Sequence, residues 1–568
     1  MNSLIKLKNS GLIIFILLLL VNFLGNFSGF LHFGLYEDDY WYVVNPINLS
    51  TRELLSFLWD NITNIEFGQG RLIGMNLPLL MIHFLYKIGG LQTVYIAGLL
   101  LISLNAYILY TVLQKKYSAL FGILAAVIFL VFPADTTKPF LTHIYQLQLS
   151  LLFTLTGFYF LSKDKFIVSY IFAFCSLLTY ENAFLPFVFA PFLLNLRWDR
   201  KLFRQGLVHL VICGVMILAI FIFRKLAGEE RVVSLTLADI IKKTLASFLI
   251  GPATTLISFI NAPIQAIIFL KDSLITMLVS FALIFVSFLL LFNRFVFPDK
   301  IEEIHFNRKS LSGTVKISEE FRQFLQLFLI SALMLVSAYL FSFTHYPPNF
   351  LQGRMTSVHF GAAIGAAVFI ANLLYYAIYL LKQKKFIGFL LVSAFFSLLT
   401  GYSAHIQKDY INAWRNQQAF WAEIVKLCPD VSNNTLILID QDDLDSTEFI
   451  KSHTWPMPAV LEQIYQFPDT WTHPPKIIPY DSWSDFQYDA DLNSFYYVPV
   501  YPFLFENRDT LYLNNSKIID IQEVNNIMER RYDTLFINDK PVLLKPLESG
   551  SLKYPPLTET GKLIMNPI

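Results

Sequence analysis

About 20 consecutive apolar residues cross the hydrocarbon core of a bilayer, and this chain returns to segments of that kind throughout its first 403 residues. The first runs from Gly11 to Phe33. Others cover roughly 91–113, 117–133, 144–162, 166–182, 183–196, 206–223, 272–292, 323–343, 359–381 and 386–403. Together they predict about eleven spans. Backbone polar groups in lipid must be satisfied within the segment itself, so the expected fold class is a polytopic α-helical membrane protein. The composition agrees: 55% of the 568 residues are hydrophobic and only 15% charged, which excludes an ordinary soluble enzyme and a disordered chain. A net charge of +1 leaves no basic footprint for nucleic acid. Cys175, Cys213 and Cys428 lie far apart and form neither a disulfide framework nor a thiolate metal motif.

Lys6 and Lys8 precede an apolar run too long for a signal-peptide core and without an Ala-x-Ala site. The expectation is an uncleaved anchor with its N-terminus in the cytoplasm. Two further apolar stretches, 72–90 and 246–270, are decided by the distribution of cations. If both lie along the outer surface or re-enter, Lys115-Lys116, Lys163 and Lys165, Arg197 to Arg204, Arg294 to Lys316 and Lys382 to Lys385 all face the cytoplasm, as the positive-inside rule asks. If either alone spans, the basic connections after it move outside. The first arrangement places Glu37 to Asp39, the loop 134–143, Glu181, the loop 345–359 and everything after about residue 404 on one extracytoplasmic side, in a multi-pass protein of a bacterial cell membrane.

The expected domains are therefore a transmembrane part, 1–403, with an outer loop at 34–90, and a C-terminal extracytoplasmic α/β domain, 404–568. In the latter, Thr435 to Asp440 reads as a buried strand, Tyr496 to Leu504 and Thr510 to Leu513 as further strands, and Glu523 to Arg531 as a helix. The acidic run Gln441 to Asp445 follows the first of these strands, where acidic loop residues are ordinary.

Three consecutive carboxylates, Glu37, Asp38 and Asp39, sit between Tyr36 and Tyr40-Trp41 just after the first apolar segment. Ionisable groups at a span's end are costly and mark function. Ser50 to Ile62 has helical apolar spacing with a cap at Ser50-Thr51 opposite Leu54, and reads as an amphipathic helix on the membrane. Gly68 to Leu72 then places Arg71 at the head of an apolar segment, where it suits either an interface anchor or an anion. Arg354, beside Gly353, offers the same pair of readings. There is no Walker loop, dinucleotide fingerprint or nucleophile elbow, which leaves nucleotide-dependent and serine-hydrolase readings without their parts.

The order of these elements resembles the GT-C glycosyltransferases, multi-spanning enzymes that take sugars from polyprenyl-phosphate carriers, among them protein O-mannosyltransferases and bacterial lipid-glycan transferases. The likeness covers roughly residues 11–200 and the loop around Arg354. It implies that Glu37, Asp38 and Asp39 form the catalytic acidic motif and that Gly70-Arg71 is the Arg-led surface segment. The loop after Phe132-Pro133, with Asp135, Lys138 and His143, matches the second outer loop. Tyr180-Glu181 before Pro186 matches the family's Lys-Glu element, with Tyr in place of Lys. The reaction implied by the resemblance is an inverting transfer to a hydroxyl of a glycan, lipid or protein acceptor. A carboxylate serves as base, and Arg71, Arg354 and Lys138 hold the departing phosphate. The sequence requires no cofactor. Asp135, His143 and Glu181 are auxiliary; with the triplet they have the donor types that suit a divalent cation, without a recognisable ligand spacing. The alternatives are a transporter or flippase for a lipid-linked glycan, and an inactive scaffold of the same architecture.

Overall fold

The computed structural model describes residues 2–63, 70–195, 198–226, 237–291, 319–342, 347–348, 352–381, 384–439, 457, 460–479, 486–489, 494–497, 511–512, 516–524, 527–537, 540–545, 547 and 554–565. Gly68-Gln69, Arg197, Arg294 to Lys316, Lys382, His345, the acidic run 441–445 and the expected strand beyond Tyr497 lie outside the described residues.

Eight helices among the described residues are long and apolar enough to cross a membrane: Gly11–His32, Leu77–Lys116, Leu141–Leu161, Arg200–Leu226, Ala238–Ile268, Leu270–Leu289, Arg354–Leu380 and Phe386–Leu427. The chain is a membrane-embedded helical protein. Four of the expected spans, 117–133, 166–182, 183–196 and 323–343, overlap the shorter apolar helices Ala119–Leu130, Phe166–Thr179, Glu181–Leu194 and Phe321–Ser337.

Two long helices cover most of the stretches 72–90 and 246–270, whose placement the cations decide. At 1.5 Å per residue, Leu77–Lys116, 40 residues, would be about 60 Å long, twice the hydrocarbon thickness. It is broken at Gly89 (φ −164°, ψ 34°) and Gly90 (φ 68°, ψ −161°), where the sequence places the start of a span. Residues 246–270 are expected to lie along the surface or re-enter. They fall almost wholly within Leu237–Ile268, one helix with Pro252 and Pro263 inside it. The Thr254 hydroxyl donates back to the carbonyls of Ile250 (2.9 Å) and Gly251 (2.8 Å), which satisfies it within the helix.

The chain forms two compact units, one of Met1–Phe30, Asn61–Pro78 and Gln92–Lys408, the other of Leu31–Asp60, Leu79–Leu91 and Asp409–Ile568. The change of unit at Lys408 falls close to the compositional change at 404. Most of the loop 34–90, expected with the transmembrane part, clusters with the C-terminal residues.

In the first unit Leu149–Leu161 packs on Phe166–Thr179, and Ala363–Leu380 packs on both Ala119–Leu130 and Glu319–Ser337. Ala119–Leu130 is buried from Leu120 onward, so its sequence shows no polar face. Amides join helices here. Asn22 Nδ2 donates to Ser103 Oγ (3.0 Å) and the Leu99 carbonyl (3.1 Å), and Asn26 Nδ2 to Asn22 Oδ1 and the Leu130 carbonyl, both at 3.0 Å. Lipid gives helices little hydrophobic reason to associate, so bonds of this kind fix their pairing.

The second unit carries the strands β1 (Thr435–Ile439), β2 (Lys476–Pro479), β3 (Phe486–Asp489), β4 (Ser494–Tyr497), β5 (Leu511–Tyr512), β6 (Lys517–Val524), β7 (Ile527–Arg531), β8 (Thr534–Ile537) and β9 (Lys540–Leu543). One sheet has the order β2-β1-β6-β7, with β1 parallel to β2 and β6. All five residues of β1 are buried, as its continuous apolar run predicts. Of Glu523 to Arg531, expected to be helical, Glu523-Val524 instead end β6 and Ile527–Arg531 form β7, its antiparallel partner; residues 525–526 lie outside the described residues. Because β7 is an edge strand in which Arg530 alone is buried, its alternation is too weak to read. Thr51–Thr63 is the expected helix, and its cap is reciprocal: Ser50 N–H donates to Glu53 Oε2 (2.8 Å) and Glu53 N–H to Ser50 Oγ (3.3 Å). The capping box is thus Ser50-x-x-Glu53 rather than the pairing with Leu54. The helix buries Leu54 and Leu58 against Leu79.

Below this sheet Asp430, 1% exposed, holds Arg530 through two bonds (2.5 and 3.1 Å) and Lys517 Nζ at 2.8 Å. Burial alone raises a carboxyl's pKa, but the bonds and charges of Arg530 and Lys517 outweigh it and hold Asp430 below the ordinary value. A depressed folded-state pKa adds stability above the unfolded value, near 3.9, which is lost as pH falls through the folded one. Asp430→Asn is expected to lower the unfolding free energy of this unit by about 3–5 kcal/mol at neutral pH and to flatten its acid-induced loss of stability below about pH 4. Urea melts of full-length protein across pH, followed by backbone circular dichroism, check both.

Candidate functional site

The acid turn belongs to the second unit and is built from its aromatics. Tyr36 is 1% exposed; its hydroxyl donates to the Tyr410 carbonyl (3.0 Å) and accepts from Gly34 N–H (3.2 Å), and its ring meets Tyr410 edge-on at 4.9 Å. Gly34 has to be glycine, since a Cβ there would stand 1.8 Å from Trp414 Cδ2. On the far side Tyr40 donates to Gln417 Oε1 (2.5 Å), while its carbonyl accepts from Gln463 Nε2 (2.7 Å). Burial, aided by the nearby charge of Asp39, drives both phenols well above their usual pKa, so they act as neutral donors.

Between these anchors the three carboxylates have different surroundings. Asp39 is fully buried. Its Oδ2 accepts from Tyr36 N–H (3.1 Å) while its own N–H donates back to the Tyr36 carbonyl (2.8 Å), so its side chain closes the turn. Glu37 and Asp38 are half-buried. Glu37 is held at φ 39°, a left-handed conformation costing an L-residue roughly 1–2 kcal/mol, which persists only where the surroundings over-determine it. Outliers of this kind collect at functional sites.

The first unit holds the remaining candidates in two clusters. In one, Glu181 bridges two arginines. Arg71 reaches it with Nε (3.3 Å) and Nη2 (3.0 Å), and Arg224 Nη2 with a 2.9 Å bond to Oε2. Arg71 lies 3.9 Å over the Tyr180 ring, within reach of a cation–π contact. Gly70 (φ 65°) makes room, since a Cβ there would be 2.5 Å from Arg224 Cγ. Sequence reasoning misses Arg224 because it stands just beyond the apolar segment 206–223. An Arg closing such a segment is itself a signal.

In the other cluster, Asp135 Oδ1 accepts from Thr137 N–H (2.9 Å) and Oγ1 (2.6 Å). Thr136 N–H donates to Thr356 Oγ1 (3.1 Å), and Gly353 N–H donates to Thr136 Oγ1 (2.9 Å). This brings the Asp135–Lys138 loop to the entrance of the 3-10 helix Arg354–Ala362. Gly353, at φ 91° and ψ −152°, occupies a region open essentially to glycine alone. Lys138 Nζ donates to the carbonyls of Leu130 (2.6 Å) and Phe132 (3.4 Å), capping the C-terminal end of Ala119–Leu130. Desolvation pushes its amine down to about 8, against the pull of Asp135. Two of the three donors of an ammonium are thereby taken by the fold. His143 is buried, 8% exposed, with its ring 5.1 Å from Phe140.

Among the described residues, no group of three His, Cys, Asp or Glu side chains is placed to hold a metal ion. Comparison with protein families, with curated proteins and with solved structures gives no match.

Glu181→Gln removes the charge that two buried guanidiniums share, and is expected to cost about 3–5 kcal/mol, read as a lowered melting temperature in lipid nanodiscs. Glu181→Asp, which keeps the charge on a shorter arm, is expected to lose less.

Proposed function

We propose that this protein is an integral-membrane glycosyltransferase, moving a sugar from a polyprenyl-phosphate carrier to a hydroxyl acceptor on the extracytoplasmic side of the membrane. The observation that supports this reading is the acid turn. A non-glycine residue is held in a strained conformation, one carboxylate closes the turn, and two stand half-buried beside it.

A transfer of this kind needs a base for the acceptor hydroxyl, whose proton becomes acidic only as the new bond forms. Glu37 and Asp38 are the candidates, because Asp39 is occupied by the turn. The leaving group is a carrier phosphate, whose growing charge calls for fixed donors. Arg71, oriented by Glu181 and Tyr180, fills that role in this reading, with Arg354 and Lys138 as further cations. Direct in-line displacement inverts the anomeric carbon. The reading takes the polar C-terminal residues to lie outside the cell membrane, as the distribution of Lys and Arg favours.

Glu37→Gln and Asp38→Asn are tested separately for transfer of labelled sugar by protein in nanodiscs. At least one is expected to lower turnover about 100-fold or more with an unchanged melting temperature. Asp39→Asn is expected to lower the melting temperature as well. Full turnover in the Glu37→Gln/Asp38→Asn double variant would remove the acids from the mechanism.

A further inference from the structure

Two of the basic connections expected on the cytoplasmic side come together in the first unit. Leu77–Lys116 ends on Lys115-Lys116, and Leu149–Leu161 is followed by the turn Ser162-Lys163-Asp164-Lys165. Backbone bonds fix that turn: the N–H groups of Lys163 and Lys165 both donate to the Phe160 carbonyl at 3.0 Å, and Asp164 N–H donates to the Leu161 carbonyl at 3.0 Å. Lys115 Nζ stands 5.3 Å and Lys163 Nζ 5.8 Å from the centre of the same Tyr159 ring. Each is within cation–π reach, and the two like charges face each other. Among the described residues, none of Lys115, Lys116, Lys163 and Lys165 forms an ion pair, and Asp164, exposed on the same turn, pairs with none of them. A cation at a helix C-terminus is favoured by the dipole alone, and lysines beside a span orient a membrane chain wherever they stand. Neither effect gathers two of them, one from each of two helix ends, on one ring. Like charges brought together raise each other's cost, and an anion between them removes it.

We propose that Lys115, Lys163 and Tyr159 form a site for the phosphate of an anionic phospholipid. The lipid source follows from what adjoins the cations. Immediately after Lys165 the helix Phe166–Thr179 exposes Phe166, Ile167 and Ile171, an apolar face for acyl chains that starts at the level of the lysines. Tyr159 is half-buried and of the type that collects at the membrane–water interface. Basic pockets between membrane helices on the cytoplasmic side are where acidic headgroups dock. A zwitterionic headgroup carries its own ammonium beside the phosphate and would set it against two lysines, whereas an anionic one brings a net negative charge. The site shares no residue with the groups invoked for glycosyl transfer and does not depend on that reading.

Native mass spectrometry of full-length protein in detergent, titrated with phosphatidylglycerol or phosphatidylcholine, resolves individual bound lipids and tests this. The first phosphatidylglycerol is expected to bind about tenfold more tightly than the first phosphatidylcholine, the order that two lysines near a headgroup supply. Lys115→Gln/Lys163→Gln is expected to abolish that preference. Lys116→Gln/Lys165→Gln removes the same charge from the same two connections and is expected to keep most of it. Lys163→Gln alone, in an exposed turn, is expected to reduce the preference about threefold and carries the test if the first double variant does not insert. Ammonium phosphate, exchanged for ammonium acetate at matched ionic strength, is expected to leave lipid binding unchanged. Displacement of the lipid by phosphate would make this a site for a soluble anion and overturn the proposal. Equal binding of the two lipids would overturn it as well, and so would equal losses in the two double variants, the mark of a diffuse basic surface.

Discussion

A carboxylate taken out of water has to be met by cations or by backbone N–H groups, or it does not stay charged. This constraint organises the described parts of the chain. Asp430 is met by Arg530 and Lys517 beneath the C-terminal sheet, Glu181 by Arg71 and Arg224 among the helices, and Asp39 by the N–H of Tyr36. In each case the residue does structural work that its type alone would not reveal. Glu37 and Asp38, beside Asp39, keep a half-buried position.

Cations sort in the same way. Arg71 and Lys138 look alike in sequence, each a positive residue in a loop beside an apolar segment. Lys138 ends on the carbonyls of a helix terminus, a position any cation stabilises. Arg71 is held flat between a carboxylate and an aromatic ring, a way of fixing a guanidinium that suits its planar fork and that lysine could not reproduce. An arginine so oriented presents a permanent charge without the entropy cost of a free side chain.

The sequence is most legible where one physical period dominates. The apolar segments announce the helices because length and hydropathy suffice for that, and the buried run at Thr435 announces the central strand. The edge strand Ile527–Arg531 reads wrongly as a helix because solvent blurs its alternation. Residues 246–270 belong almost wholly to a helix long and apolar enough to cross a membrane, and their placement rests on the distribution of cations. At the acid turn three like charges stand in a row, and nothing in their order tells which one points inward; the answer lies in Tyr36, Tyr40 and Gly34, whose partners Tyr410, Trp414 and Gln417 are more than 370 residues away. Arg224 is hidden by the same kind of separation, its partner Glu181 lying 43 residues back.

If the acids and arginines serve transfer from a lipid-phosphate donor, the sugar has to change carriers. The most direct measurement supplies wild-type protein, reconstituted in sealed vesicles, with a panel of labelled polyprenyl-phosphate sugars and follows the label. Label is expected to leave the carrier for a hydroxyl acceptor with inversion at the anomeric carbon. Label that stays on its carrier and accumulates across the vesicle membrane would contradict this and make the protein a transporter.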